Sequence, residues 1–236
     1  MDLVSDLKSE ILKDFSGKNR EQMPKLLDEK RIPLSISRGM QLMLAGCDIG
    51  SYDSGDAYAI HPDGRVKIDL DLEFLRGLNP ESKRSLTKVP RRYGGFDLTD
   101  AQFDEIDGIE LGYLGAEDSS LSERDVLNHG TLRSLARSDE LLADWFNYVS
   151  LKTRELNTRE NIKFQPFLTK IHLPQIRGFS MDSIWTGPSI RGTLNYKDGR
   201  LIGEAPRKDP VRVERKGRGR EYVLDEQLRF LNVVNE

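Results

Sequence analysis

Three acidic residues stand at alternate positions of the chain: Asp69, Asp71 and Glu73. On a β-strand, residues two apart point to the same side, with about 6–7 Å between their α-carbons. Three carboxylates on one strand face suit a hard divalent cation such as Mg²⁺ or Mn²⁺. A two-metal phosphoesterase would need a further carboxylate or histidine from another element. The alternative is the charged face of an edge hairpin, which meets water and discourages edge pairing. We favour this alternative and predict no bound cofactor.

The other residue types with reactive side chains are isolated in the sequence. His61, His129 and His172 show none of the helical spacings of a metal site. No Gly-x-Ser-x-Gly sequence marks a nucleophilic serine, although the members of a Ser-His-Asp triad need not be neighbours in the chain. Cys47 is the only cysteine, which excludes an intrachain disulfide and favours a small buried thiol at the end of a helix. The catalytic residues are therefore left unassigned.

The most conspicuous binding feature is a basic arm, residues 206–221. Its positive charges are offset only by Asp209 and Glu214, and they are Arg207, Lys208, Arg212, Arg215, Lys216, Arg218 and Arg220. The first interpretation is contact with the acidic stretch between Asp97 and Glu110, in the same or a neighbouring subunit. The second is nucleic acid, because basic residues that contact phosphates release counterions. The third is a solvated linker.

Length and composition favour an ordinary globular protein. The chain has 236 residues, of which 37% are hydrophobic and 32% charged, with a net charge of -3. We expect one α+β domain over residues 1–205, with a possible subdivision near 118–120, and a C-terminal helix over 222–236. No stretch approaches the roughly 20 apolar residues that span a bilayer, and the first residues lack the layout of a secretory signal. We therefore expect no membrane partner and a cytoplasmic location, in a cell or in an infected host.

The strongest local structural signal is the turn from His61 to Arg65. Pro62 and Gly64 favour a three-residue hairpin loop with a bulge at the glycine. In that register Tyr58 faces Ile68 and Ile60 faces Val66, so one face of the hairpin is apolar. The opposite face, with Ala57, Ala59, Lys67 and Asp69, is predicted to meet water.

Helical signals flank this hairpin on both sides. Two helices are predicted before the hairpin over residues 2–15 and 24–30, and a third is capped by Ser35. After the hairpin, capping boxes at Thr99–Gln102 and Ser120–Glu123 predict two helices, and residues 131–137 form a short one. The longest predicted helix is capped by Ser138, and its Trp145 anchors the core. Residues 47–55 are predicted as a loop and 109–113 as a strand. Residues 167–173 are predicted as a strand and 193–204 as a second hairpin.

This order of elements predicts an α+β fold: an N-terminal helical group, a central antiparallel hairpin, a second helical group and a C-terminal β segment. The leading hypothesis is a non-catalytic interaction or assembly protein that associates with itself or with a protein partner. The first alternative is a metal-dependent phosphoester hydrolase using Asp69, Asp71 and Glu73. The second is a nucleic-acid-binding accessory protein that uses residues 207–220.

Overall fold

The protein has an α+β fold in which helices pack on a mixed, mostly antiparallel sheet. The predicted fold class is therefore confirmed. A computed structural model describes residues 11–17, 19–47, 49–72, 96–112, 114, 118–156, 162–166, 171–183, 189–192, 199–205, 214–217 and 220–223. No helix within these ranges is both long and apolar enough to cross a membrane.

The helices are α1 (Asn19–Asp28), α2 (Ile36–Leu44), α3 (Asp100–Asp104), α4 (Glu123–Asn128), α5 (Gly130–Ala136) and α6 (Asp139–Glu155), with a 3-10 turn at Leu70–Leu72. The strands are β1 (Leu12–Ser16), β2 (Ile32–Pro33), β3 (Tyr52–Ile60), β4 (Val66–Asp69), β5 (Phe96–Asp97), β6 (Ile109–Leu111), β7 (Asp118–Leu121), β8 (Ile162–Gln165), β9 (Gln175–Met181), β10 (Ser189–Gly192), β11 (Arg200–Glu204), β12 (Glu214–Gly217) and β13 (Arg220–Val223).

The main sheet runs in the order β1-β11-β3-β9-β10-β8-β7. The two central strands, β3 and β9, pair with each other, and each of them also pairs with two different strands along its other edge. β3 pairs with β11 at Asp53 and with β4 from Ala57 onward, while its register with β9 shifts between those two residues. β9 likewise pairs with β10 at one end and with β5 at the other. The sheet therefore forks at residues 54–56, which we call the fork.

The main core lies between the sheet and helices α2, α4, α5 and α6. Trp145 of α6 is 1% exposed and packs there with buried residues of β3, β8 and β9. A second core lies on the other side of β3 and β9, and consists of Ala57, Ala59, Leu98, Phe103, Ile106 and Ile176. Because both sheet faces are covered, β3 is buried along most of its length.

The central hairpin has the predicted register. Tyr58 lies opposite Ile68 and Ile60 opposite Val66, and Gly64 has a φ of +97°. The prediction that the second face meets water is wrong, because Ala57 and Ala59 are fully buried in the second core. The hairpin is not at an edge either, because β3 lies between β9 and the strands β4 and β11. Nor is the whole of residues 47–55 a loop, since β3 begins at Tyr52.

Local capping signals place most helix starts correctly. Ser35 caps α2, Ser138 caps α6, and Thr99 with Gln102 forms the capping box of α3. The next capping box is shifted from the predicted one. Ser122 and Asp125 form it, because Ser120 belongs to β7. The predicted helix near residues 24–30 is confirmed as α1, with an earlier start, and residues 131–137 as α5, Gly130–Ala136.

Several predicted elements are wrong where distant pairing decides the structure. Residues 12–16 form β1, paired with β11, instead of the end of a helix. No strand is seen at residues 171–173, and the described residues of this region form β8 and β9 on either side. β11 does not close a local hairpin, because it pairs with β1, β2 and β3. The predicted strand at residues 109–113 is confirmed as β6, Ile109–Leu111. Residue 113 lies outside the described residues, as do residues 1–10, 167–170 and 193–198 of the other predicted elements.

Candidate functional site

The predicted carboxylate cluster does not lie on one strand face. β4 ends at Asp69, which is 2% exposed and opposite Ala57. Asp71 lies in the following 3-10 turn with a φ of 59°, so the strand alternation that would align it with Asp69 is lost. Glu73 lies outside the described residues. Within the described parts of the chain, no group of three or more metal-ligating side chains comes together.

Asp71 instead belongs to an ion-pair cluster with Arg137, the C-cap residue that directly follows α5. The guanidinium of Arg137 donates to both carboxylate oxygens of Asp71, at 2.9 and 2.8 Å, and to Oδ1 of Asp56 at 3.0 Å. Both Asp71 and Arg137 have left-handed backbones, with φ of 59° and 62°. Such conformations cost free energy in residues other than glycine, and they persist where surrounding contacts enforce them.

Asp56 is the centre of this cluster and lies in the fork. It is fully buried, and its Oδ2 accepts a hydrogen bond from the Ile36 amide, at the start of α2, at 2.6 Å. Its Oδ1 accepts from the Asp71 amide at 3.1 Å and from Arg137. Burial raises the pKa of Asp56, and the charge of Arg137 and these two amides oppose the rise. Asp56 thus joins β3, α2, the turn after β4 and the end of α5.

This cluster is a structural clamp. All four carboxylate oxygens of Asp56 and Asp71 accept hydrogen bonds from the chain itself. Burial disfavours the charge of Arg137, but the hydrogen bond to Asp71 and the attraction of both carboxylates outweigh that effect and raise its pKa. A metal ion at Asp71 would have to displace this guanidinium, so the arrangement favours an ion pair over a cation site.

The histidines also have structural surroundings. Nδ1 of His61 lies 2.7 Å from Asp63 and Nε2 lies 3.1 Å from Asp100, so both ring nitrogens are next to carboxylates. His129 packs against the Phe164 ring, with centroids 4.4 Å apart. His172 is exposed. Cys47 is buried, as predicted.

The acidic segment from Asp97 to Glu110 contacts the hairpin tip. Asp100 pairs with His61 and Asp104 pairs with Arg65 at 3.0 Å. The cations of Arg65 and Lys67 lie 5.0 and 5.2 Å from the centre of the Phe103 ring, which they cover. These contacts hold α3 on the hairpin, which sequence spacing alone did not indicate. A contact between this segment and the basic arm stays a prediction.

Part of the basic arm forms a separate two-stranded sheet, β12 paired with β13. Arg215 and Lys216 lie in β12 and Arg220 lies in β13. Arg207, Lys208, Arg212 and Arg218 lie outside the described residues. Residues 222 and 223 belong to β13, so the predicted C-terminal helix does not begin at residue 222, and residues 224–236 lie outside the described part. Partner binding by the arm stays a prediction.

An open groove of about 570 Å³ was not predicted from the sequence. It lies between α6, the end of β7 and the start of α4, and its lining residues are Leu121, Ser122, Glu123, Phe146, Asn147, Ser150, Leu151 and Arg154. The α6 residues Asn147, Ser150, Leu151 and Arg154 recur with the spacing of one helix face. The opposite face of α6 is buried, with Leu142, Trp145 and Val149. The signal that could have revealed the groove is Leu151, an apolar residue outside the buried stripe.

The lining of the groove combines apolar side chains with polar groups of several kinds. Leu151 is 55% exposed, and Leu121 and the half-buried Phe146 add apolar surface beside it. Glu123 contributes a carboxylate, Arg154 a guanidinium and Asn147 an amide. The volume falls within the range of about 300–1,000 Å³ that is usual for ligand sites. Such a lining can accept an apolar side chain together with hydrogen-bonding groups.

Neither a scan against protein-family models nor a search of curated proteins gives a match. Among solved structures, the chain is similar to one described in a study of the accommodation of massive sequence variation in Nanoarchaeota by the C-type lectin fold. The TM-score is 0.60 at 12% sequence identity, and the match covers 84% of this chain and 100% of that chain. At this identity the likeness shows a shared fold, which is also α+β, and no more.

Proposed function

We propose that this chain is a non-catalytic binding module, and that a partner protein occupies the groove beside α6. The observation that carries the proposal is Leu151, which is 55% exposed and stands among polar groups in a concave surface. Protein interfaces combine an apolar centre with a polar rim, and a few anchor residues supply most of the binding free energy.

The described lining of the groove contains no histidine or cysteine, and its only charged groups are the Glu123 carboxylate and the Arg154 guanidinium. Arginine does not give up its proton in proteins, so this pair cannot serve as a general acid and base. The carboxylates of Asp56 and Asp71, elsewhere in the molecule, are engaged by Arg137. These features favour binding over the hydrolase alternative, for which Asp69, Asp71 and Glu73 stay a prediction.

The neighbouring sheet edge favours an extended partner segment. β7 ends the strand order of the described sheet, and its last residue, Leu121, lines the groove. An edge strand offers backbone amides and carbonyls, with which an extended peptide can pair while its alternate side chains enter adjacent pockets. We propose that the partner adds such a strand to β7 and places an apolar side chain against Leu151.

The fold likeness supports a binding role in a general way. The similar protein is described as an example in which the C-type lectin fold accommodates massive sequence variation. A fold that accommodates sequence variation is suited to the presentation of binding sites, and we extend only this expectation to the present chain. The partner would be another protein; association of the chain with itself is the alternative to be tested.

The chain offers a matched pair of variants for the test. Leu151 and Leu173 are both 55% exposed, but only Leu151 lines the groove. Peptides selected from a random library against the parent would be measured for affinity to Leu151→Asp and Leu173→Asp. We expect Leu151→Asp to weaken binding about tenfold or more, which is about 1.4 kcal/mol, and Leu173→Asp to leave it unchanged.

Equal affinity of the selected peptides for both variants would overturn the proposal. Sedimentation of the parent and the two variants distinguishes the alternative. If the parent forms dimers that only Leu151→Asp dissociates, the groove binds a second copy of the chain instead of another protein.

A further inference from the structure

The two charged groups that line the groove beside α6 have different surroundings. Glu123 is exposed, and its carboxylate has no hydrogen bond or ion pair with any group in the described part of the chain. Asp125, two residues further along α4, differs because it accepts a hydrogen bond from Ser122. Arg154 also has an interaction within the chain. Within the described lining, Glu123 is therefore the charged group that lacks a partner.

The position of Glu123 relates it to the edge of the sheet. Leu121 is the last residue of β7, Ser122 caps α4, and Glu123 is the first residue of that helix. The first turn of a helix favours a carboxylate, because the backbone amides there carry partial positive charge. A segment that pairs with the outer edge of β7 and continues past its end would place a side chain near this carboxylate.

The α6 wall of the groove favours a different side chain. Leu151 offers apolar surface, and Asn147 and Arg154 lie about one helical turn before and after it. The guanidinium of Arg154 repels a cation, so a basic side chain of the partner is favoured at the α4 wall and disfavoured along α6. Lysine and arginine have long apolar stems, so they can cover apolar surface while their charged ends reach a carboxylate.

We propose that the groove selects an extended segment with an apolar side chain near a lysine or arginine, the apolar one against Leu151 and the basic one against Glu123. This inference rests on the proposed function, which places a partner protein in the groove, and it adds the chemistry of that partner. Complementary charge contributes mainly to the specificity and the rate of association. The formal net charge of -3 acts in the same direction at longer range.

Charge reversal at Glu123 tests this selectivity. Peptides would be selected from a random library against the full-length parent, Glu123→Lys and Glu105→Lys. Glu105 is the matched control, because it is exposed at the end of α3 and does not line the groove. We expect the parent and Glu105→Lys to enrich lysine and arginine over aspartate and glutamate. Glu123→Lys should reverse this preference.

Synthetic peptides give the magnitude of the effect. Replacement of the basic residue of a selected peptide by glutamine should weaken its binding to the parent about two- to fivefold, the range for an ion pair in contact with water. The same replacement should leave binding to Glu123→Gln unchanged, because that variant has no carboxylate to contact. Rising salt should weaken the binding of the basic peptide to the parent more than that of its glutamine version.

Selection by the parent without an excess of basic residues would overturn the inference. An equal change of preference in Glu123→Lys and Glu105→Lys would also overturn it, since net charge alone would then explain the result. Failure of the proposed function is a separate result, namely equal affinity for Leu151→Asp and Leu173→Asp. If only Leu151→Asp weakens binding and residue 123 has no effect, the groove binds a partner without reading its charge. Melting temperatures equal to that of the parent would show that the variants are folded.

Discussion

Asp56→Ala would test whether the buried carboxylate at the fork holds the fold together. The substitution removes the acceptor of two backbone amides, those of Ile36 and Asp71, and of the Arg137 guanidinium. Asp56 is fully buried, so water cannot replace these hydrogen bonds without opening the structure. The variant therefore leaves two amides without their acceptor, while Arg137 keeps its bonds to Asp71.

The size of the effect follows from these contacts. A buried polar group left without its partner costs about 1–3 kcal/mol, and removal of one member of a buried ion pair costs about 3–5 kcal/mol. Since Arg137 keeps Asp71, we expect Asp56→Ala to lose about 3–5 kcal/mol in total, with a fall in melting temperature of roughly 6–20 °C. Asp56→Asn should lose about 1–3 kcal/mol, because the amide has one acceptor oxygen where the carboxylate has two.

The pH dependence of this cost has a definite sign. Burial raises the folded-state pKa of Asp56 above its ordinary value, so the folded protein binds more protons than the unfolded chain between the two pKa values. The contribution of Asp56 to stability is fully present below about pH 4 and falls as pH rises through the folded pKa. The stability difference between the parent and Asp56→Asn should therefore be largest in acid and shrink toward neutral pH.

Urea denaturation of the parent, Asp56→Ala, Asp56→Asn and Asp71→Asn across this pH range would measure these effects. Asp71→Asn serves as the control, because its side chain is partly exposed and its ion pair should contribute about 1 kcal/mol or less. A loss below about 1 kcal/mol in Asp56→Ala would refute the description of Asp56 as a buried clamp. A stability difference between the parent and Asp56→Asn that grows with rising pH would refute the conclusion that burial affects the pKa of Asp56 more than Arg137 does.

The remaining predictions concern glycines, the hairpin and metal. Gly39→Ala should lower the free energy of unfolding by about 2 kcal/mol or more, because the added Cβ would clash with the Tyr52 hydroxyl. Gly64→Ala should lower it by only about 1 kcal/mol in the same urea titration. Its added Cβ would meet no atom within 4 Å, but its φ of +97° disfavours alanine. Ile68→Ala should lose about 2–5 kcal/mol, and Lys67→Ala about 1 kcal/mol, because the Lys67 ammonium donates to the Asp104 and Ile106 carbonyls; equal losses would contradict the face assignment. Mn²⁺ should not raise the melting temperature, since Arg137 occupies Asp71, and a rise that disappears in Asp69→Asn with Asp71→Asn would favour the hydrolase alternative.

Local interactions explain what the sequence determines by itself. The cap of α2 at Ser35, the Thr99–Gln102 box and the Ser138 cap of α6 each join groups no more than three residues apart. The hairpin turn likewise depends on Pro62 and Gly64. These structures form wherever the short segment is placed, so residue type and spacing predict them. The capping box at Ser122 shows the limit, because the pairing of Asp118–Leu121 in β7 moves the helix start beyond the predicted cap at Ser120.

Long-range contacts decided the rest. The apolar spacing of Leu12 and Phe15 continues the pattern of the predicted helix, but pairing with Arg200–Glu204 makes residues 12–16 a strand. The clamp joins Asp56 to Arg137 across 81 positions and Asp71 to Arg137 across 66. The groove requires α6 beside β7 and α4. The sequence contains every one of these residues, but only the packing of distant segments brings them together. The free energy that selects such contacts comes from burial and strand pairing between segments, and local helix or strand propensity does not supply it.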